Sequence, residues 1–308
     1  MTAPTVSNGA SRTRRSGSAT RSARRAGLGF VLPFFVLFLS MVVVPLGYAA
    51  YLSLFETRLI GGESFVGLEQ YAKALTDPLL LEGIGRVAVF FLIQVPLMLA
   101  IALIIALILD SGMLRLAKVF RLGVFLPYAV PSVIAALMWG YLYGDQFGPL
   151  AQLAAAVGLP APNFLSQGNV LGAIANIVTW EFAGYNMIIM YAALRAIPTE
   201  LYEAAAVDGA GAFRVAWSIK LPALRPAIMV CLIFSVIGSF QLFNEPNLLQ
   251  NLAPSSIDSA FTPNLYAYSL AFTGQNVNYA AAVSFLLGAV IFIVSYVAQS
   301  AGRRKAEK

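Results

Sequence analysis

The sequence predicts an all-α integral membrane protein with six transmembrane helices. Of its 308 residues, 59% are hydrophobic and 11% are charged, whereas a soluble globular protein carries about 25% charged residues. Long stretches contain no charged residue at all: 26–55, 87–109, 122–144, 226–244 and 259–302. A helix needs about 20 apolar residues to cross a bilayer. This composition excludes a soluble enzyme.

Gly, Pro and polar clusters divide the apolar stretches into candidate spans. We place the six spans at residues 28–54, 84–109, 119–143, 170–194, 226–244 and 278–300. The fourth span is the only one with a charged residue, Glu181, in its middle.

The charges predict how this bundle is oriented, because cytoplasmic loops keep an excess of Lys and Arg. With the N-terminus inside, the inside segments hold 17 of the 20 cations. The outside segments hold only Arg58, Lys73 and Arg86. They also hold most of the acids, namely Glu56, Glu63, Glu69, Asp77, Glu82, Asp145, Glu245 and Asp258. Both termini are therefore expected in the cytoplasm, and the net charge of +6 indicates topology rather than nucleic-acid binding.

The supply of reactive side chains is small. The chain has no His, and its one cysteine, Cys231, lies inside an apolar stretch. A disulfide framework, a zinc site and a Cys/His nucleophile are therefore excluded. No Lys follows a Gly, so the chain has no phosphate-binding G-x-x-x-x-G-K-[ST] loop. We expect no catalytic residue, no metal and no cofactor in this chain.

The ends of the chain are basic. Residues 1–27 are rich in Ser, Arg and Ala and contain no acid, which predicts a disordered cytoplasmic tail; a transit peptide is the alternative. Residues 301–308 form a second basic tail.

One inside segment is unlike an ordinary short polar loop. Pro198 predicts a helix start, and Asp208-Gly209 predicts its end, because Gly takes the left-handed conformation that a helix C-terminus favours. Residues 212–219 predict a second short helix, closed by Leu221-Pro222. An interfacial helix would carry Lys and Arg, whereas the first helix carries acids. This favours an element that docks on another protein.

The spacing of Glu203-Ala204-Ala205, Gly209, Ile219 and Leu221-Pro222 resembles the EAA loop of the permease subunits of binding-protein-dependent ABC importers. We call residues 198–222 the EAA loop. Residues 194–198, 201–202, 208–210 and 65–71 further resemble the carbohydrate branch of that family, in particular subunits similar to the maltose permease subunit MalF.

This resemblance implies a type I ABC importer permease fold. Residues 28–80 would hold the first helix and an outside loop, and residues 81–300 a five-helix ABC transmembrane domain. It also implies a bacterial plasma membrane protein that imports a sugar, in particular an oligosaccharide. Its partners would be a second permease subunit, two ATPase subunits that bind ATP and Mg, and an extracytoplasmic solute-binding protein. The residues expected to couple to the ATPase are Glu203, Ala204, Ala205, Asp208, Gly209, Ile219, Leu221 and Pro222.

A substrate pathway is expected around the fourth and fifth spans. A charge in mid-membrane usually faces the bundle interior or a cavity, which points to Glu181; Tyr185 shares its helix face. The resemblance adds positions in the fifth span. The predicted pathway residues are Trp180, Glu181, Tyr185, Asn186, Ser235, Ser239 and Gln241. The alternatives are that Glu181 pairs with a polar group on a neighbouring span and that the serines are packing positions.

Three other functions stay open at the level of the sequence. An ion-driven secondary transporter would show an internal repeat with broken helices, and none is convincing here. An ABC permease for a solute other than a sugar, or a scaffold that uses the acidic loop, is also compatible with the composition.

Overall fold

A computed structural model describes residues 17–58 and 61–306, and the described chain is almost entirely helical. Five helices are long and apolar enough to cross a membrane, or six if one bent pair counts as a single span. This agrees with the predicted number of spans. Residues 1–16 and 307–308, which belong to the predicted tails, lie outside the described residues.

The N-terminal unit is a helical run of three parts. Helix α1 covers Gly17–Phe38, a π-helical turn covers Leu39–Val43, and α2 covers Val44–Leu52. The π turn ends two residues before Pro45, and the N–H of Val44 bonds back five residues to Leu39. A wider turn relieves the clash between a proline ring and the preceding turn. Helix α1 begins before the predicted start at residue 28, so the part of the predicted tail from residue 17 onward is helical.

The second unit, from Leu52 onward, opens with a short hairpin that the sequence did not predict. Strand β1, Phe55–Arg58, pairs antiparallel with β2, Gly62–Phe65. Helix α3, Glu69–Thr76, follows.

Helix α4 covers Pro78–Asp110 and is capped by Asp77, which accepts hydrogen bonds from the backbone N–H groups of Leu79 and Leu80. The other carboxylate oxygen of Asp77 accepts bonds from Tyr266 (2.7 Å) and Tyr279 (2.6 Å). Burial alone would raise the pKa of Asp77. The hydrogen bonds from Tyr279 and Tyr266 outweigh burial, so its pKa lies below the usual value.

The third predicted span is bent. Helix α5, Ala117–Phe125, continues through a 3-10 turn at Leu126–Ala129, and α6, Ser132–Leu142, leaves at an angle of 97°. Val130 is extended (φ −79°, ψ 127°) because Pro131 disfavours the helical conformation in the residue before it. The expectation of one continuous span over residues 119–143 is therefore wrong.

The fourth span packs closely against α5. After α7, Pro149–Ala156, helix α8 covers Val170–Arg195. A Cβ atom at Gly184 would overlap the backbone carbonyl of Val124. Only glycine allows this approach of the two backbones.

The EAA loop leads directly into the fifth span. Helix α9 covers Thr199–Val207, α10 covers Ala212–Val215, and a π turn at Ala216–Lys220 runs into α11, Leu221–Phe240. The prediction that Leu221-Pro222 closes a short helix is wrong. The N–H of Leu221 bonds back five residues to Ala216, and this π spacing lets the helix pass Pro222 without a break.

The last elements complete the second unit. They are α12 (Asn244–Leu249), α13 (Pro263–Phe272) and α14 (Val277–Ala306). Helix α14 extends into the predicted C-terminal tail. Helices α4, α8, α11 and α14 pack on one another around the buried core.

Candidate functional site

A cavity of about 480 Å³ opens between α4, α8 and α11 in the middle of the second unit. Residues at the bend before α6 and in the segment that joins α11 to α12 also line it. The residues that line it are Phe90, Gln94, Met98, Tyr128, Ser132, Val178, Phe182, Tyr185, Asn186, Phe234, Ser235, Ile237, Gly238, Ser239, Gln241, Leu242, Phe243, Asn244 and Glu245.

Most of the predicted pathway residues lie on this wall: Tyr185, Asn186, Ser235, Ser239 and Gln241. Tyr185 stacks on Tyr128, with ring centroids 4.7 Å apart and an interplanar angle of 20°. The fourth and fifth spans therefore meet at the cavity, as the sequence suggested.

Trp180 does not line the cavity. Its ring meets the ring of Trp139 edge to face, with centroids 5.9 Å apart. At 100° per residue, Trp180 and Tyr185 point about 140° apart around α8. The expectation that both rings contribute to one pathway is not met in this structure, because they lie on different sides of the same helix.

Glu181 also lies outside the cavity lining. It is 3% exposed, and its Oε2 has no hydrogen-bond partner among the described residues. The alternative in which Glu181 pairs with a polar group on a neighbouring span has no counterpart in this structure either, since the hydrogen bonds and ion pairs between described residues do not include Glu181. Burying a carboxylate oxygen without a hydrogen-bond partner costs free energy, so the position of Glu181 needs an explanation beyond packing.

Five polar side chains of the wall use their hydrogen-bond donors within the protein, whereas the hydroxyls of Tyr128 and Tyr185 and the side-chain amide of Gln241 have no hydrogen-bond partner among the described residues. The hydroxyl of Ser235 donates to the carbonyl of Cys231 and that of Ser239 to the carbonyl of Ser235, both at 2.8 Å. The amide of Asn186 donates to the carbonyl of Phe182 at 3.0 Å. The oxygens of these side chains remain able to accept.

Two further amides follow the same pattern. Gln94 is 1% exposed and donates to Thr179 Oγ1 at 3.2 Å and to Met98 Sδ at 3.4 Å. Asn244 donates to Ser132 Oγ at 2.8 Å.

Several residues of the wall were not predicted, above all Glu245, Gln94 and Tyr128. Glu245, which the charge pattern predicts in an outside segment, is 6% exposed and lines the cavity. Its place at the end of a charge-free stretch gave no sign that α12 turns it back into the protein. Gln94 could have been found from the sequence, because it is a polar residue inside an otherwise apolar helix.

The EAA loop exposes its apolar and acidic side chains. Glu203, Ala204 and Asp208 are exposed, Ala205 is half-buried, and the exposed fraction of Val207 reaches 89%. Phe213 and Trp217 are also exposed and stack on each other, with centroids 6.4 Å apart. Ile219 and Leu221 are half-buried, and Pro222 is exposed.

The turn predicted at Gly209 is confirmed. Gly209 has a φ of +70°, its N–H donates to the carbonyl of Ala206, and the N–H of Ala210 donates to that of Ala205. These two bonds form a Schellman motif, which ends a helix at a left-handed residue. The motif sets the angle between α9 and α10.

The base of the EAA loop is tied to the end of α4. Lys220 Nζ lies 2.6 Å from Asp110 Oδ2, and the two side chains are 14% and 7% exposed. Lys220 Nζ also lies 5.5 Å from the centroid of the Tyr202 ring. Burial raises the pKa of Tyr202, the charge of Asp110 adds to the rise, and Arg195 opposes it.

The fold, the cavity and the exposed EAA loop describe a subunit of a membrane transport complex. The chain belongs to the family of binding-protein-dependent transport system inner membrane components, whose sequence profile matches residues 100–305.

Individual relatives agree with this family. The chain is 31% identical over 285 residues to the lactose transport system permease protein LacF of Rhizobium radiobacter, covering 90% of this chain and 93% of LacF. It is 28% identical over 279 residues to the arabinooligosaccharides transport system permease protein AraP of Bacillus subtilis (strain 168), covering 90% and 88%.

The fold matches a solved structure of a bacterial alginate ABC transporter in complex with an alginate pentasaccharide-bound periplasmic protein. The TM-score is 0.82 at 20% identity, and the match covers 94% of this chain and 98% of that chain. The type I ABC permease fold expected from the sequence is thus confirmed. Membership of the family also removes the secondary transporter and the scaffold from the alternatives, and it makes the chain a permease subunit of a bacterial membrane transport system.

Proposed function

We propose that this chain is the permease subunit of an ATP-driven carbohydrate importer and forms half of its translocation pathway. The observation that carries the proposal is the cavity between α4, α8 and α11, which combines amides, hydroxyls and aromatic rings in mid-bundle. Such a mixture of apolar surface and a few directed polar groups suits a small polar ligand. The names of LacF and AraP, a lactose and an arabinooligosaccharide permease, support a sugar, and AraP supports an oligosaccharide.

The proposed orientation places both termini and the EAA loop in the cytoplasm of a bacterium, with the chain in the plasma membrane. The distribution of cations supports it, since 17 of 20 fall in the segments assigned to the inside.

The proposed complex contains a second, similar permease subunit, two ATPase subunits and an extracytoplasmic solute-binding protein. ATP and Mg bind to the ATPase subunits, because this chain has no phosphate-binding loop. The exposed apolar surface of the EAA loop supports a partner at this position, since exposed clusters of large apolar side chains mark interaction sites.

Within the EAA loop each residue has a proposed role. Glu203 makes a charged contact with the ATPase, Ala204 and Ala205 allow a close approach, and Gly209 sets the turn. Closure of the ATPase pair can shift the permease between inward-open and outward-open states only through contacts that differ between these states.

The test is to substitute Glu203→Lys and Gly209→Trp in the assembled complex. Both variants should insert into the membrane, retain less ATPase on co-purification and lose sugar uptake. Glu63→Lys places the same charge change on an exposed acid outside the EAA loop and should transport normally. Normal uptake by both EAA-loop variants would refute the proposed docking role.

A further inference from the structure

We propose that the cavity selects saccharides that are uncharged or amino-substituted and rejects saccharides that carry carboxylate, sulfate or phosphate groups. This inference rests on the proposed carbohydrate import and defines its substrate class. It follows from the hydrogen-bonding state and the charge of the cavity wall.

The first argument is a cluster of acceptors, which shares the wall with the donor hydroxyls of Tyr128 and Tyr185 and the donor amide of Gln241. Ser235, Ser239 and Asn186 direct their donors to backbone carbonyls of their own helices, and Gln94 directs its amide N–H groups to Thr179 and Met98. What these side chains offer a ligand is oxygen lone pairs. A sugar hydroxyl or ammonium group can donate to them, whereas an anionic group only accepts.

The second argument is the charge of the wall. Glu245 lines the cavity and is 6% exposed, and the described cavity lining contains no Lys or Arg. The ion pairs found among the described residues leave Glu245 out. Helix α12, which carries it, packs against α8, which carries the buried Glu181. A ligand anion would therefore be desolvated beside acidic side chains without a cation to compensate it, which is strongly unfavourable.

The shared fold does not carry the substrate class. The matched importer takes up alginate, which is an acidic polysaccharide. The cavity in this chain is lined by an acid, whereas an anionic sugar would need a base. We therefore expect this chain to take a different class of saccharide although its fold is similar.

The first experiment is a competition for uptake. The complete complex, with its solute-binding protein, is reconstituted in ATP-loaded vesicles and given an equimolar mixture of neutral gluco-, xylo- and galacto-oligosaccharides, glucosamine oligomers and oligogalacturonates. Mass spectrometry then measures what accumulates inside. We expect a neutral or amino saccharide to exceed every acidic one by at least about tenfold. Accumulation of an oligogalacturonate at a comparable rate would overturn the inference and leave carbohydrate import standing. If no saccharide accumulates, carbohydrate import itself is wrong, and the inference falls with it.

The second experiment separates this chain from the selectivity of the binding protein. Glu245→Gln should lower uptake of the accumulated saccharide about tenfold, the worth of a hydrogen bond to a charged group. Glu245→Lys should in addition raise the ratio of acidic to neutral uptake. Glu63→Gln, an exposed acid in β2, is the matched control and should transport as the unmodified complex does. Unchanged uptake by Glu245→Gln would overturn the inference.

A smaller change covers the case in which the Glu245 variants do not assemble. Ser239→Ala removes one acceptor from the wall and should lower uptake roughly three- to tenfold. Ser284→Ala is its control, because Ser284 makes the same 2.8 Å bond to the carbonyl four residues earlier but lies on α14 outside the cavity lining. Equal uptake by the two serine variants would refute the role of the free acceptors.

Discussion

The ion pair between Asp110 and Lys220 gives the sharpest stability prediction. It joins the end of α4 to the π turn at the base of the EAA loop, and both side chains are almost fully buried. We expect Lys220→Met to release the EAA loop from α4, because it leaves the Asp110 carboxylate buried without a partner.

The magnitude follows from distance and burial. Two unit charges 2.6 Å apart attract by about 6 kcal/mol at an effective dielectric constant of about 20. Desolvation cancels much of this attraction, but the loss of one partner from a buried pair costs about 3–5 kcal/mol. If local opening of the loop absorbs that cost, its equilibrium shifts by at least about 100-fold.

The assay is hydrogen exchange of the backbone amides of residues 199–215 in the purified complex. Lys220→Met should accelerate their exchange by at least about 100-fold. Asp110→Leu combined with Lys220→Met should restore slow exchange, since apolar residues can replace a buried pair at little cost. Arg58→Met is the control: it breaks a 2.7 Å pair whose side chains are 60% and 36% exposed, and it should leave stability unchanged. A coupling energy below about 0.5 kcal/mol between Asp110 and Lys220 in the double-mutant cycle would refute the reasoning.

Two further substitutions test the packing of the second unit. Gly184→Ala should destabilise the complex by about 1–3 kcal/mol in thermal unfolding, because the added Cβ meets the backbone of Val124. Gly172→Ala on the same helix is the control: its added Cβ has nothing within 4 Å and should be neutral. Equal melting temperatures of the two variants would contradict the close approach. Asp77→Asn should cost about 2–3 kcal/mol near pH 7, because it weakens the bonds from Tyr266 and Tyr279. Since the pKa of Asp77 is lowered in the folded protein, its contribution is complete above its usual pKa and disappears as the pH falls below about 4. A destabilisation by Asp77→Asn that persists undiminished at pH 3 would rule out this linkage.

The sequence was sufficient for a bundle of five to six spans and for the turn at Gly209, because apolar length and the conformational needs of Gly209 are local properties. Pro131, which lies at the bend of the third span, is present in the sequence. Hydropathy alone, however, does not distinguish a bent span from a straight one. The π turn before Pro222 shows the opposite case, in which a proline expected to end a helix is absorbed by a wider turn.

The cavity could be predicted only in part, because its composition depends on which face of each helix turns inward. Spacing on α8 identified Tyr185 and Asn186 but also included Trp180, which faces the ring of Trp139. Glu245 escaped prediction because its position depends on how the chain turns after α11, which is a tertiary property.

The uninterrupted helix from Ala212 to Phe240 has a mechanical consequence. It is roughly 40 Å long at 1.5 Å per residue, with Trp217 near one end and Ser239 near the other. Over that length a rigid rotation of about 10° around one end displaces the other by about 7 Å, which is larger than the width of a hexose ring. The exposed surface of the EAA loop and one wall of the cavity thus lie on a single helix, so a small tilt at one end becomes a large displacement at the other.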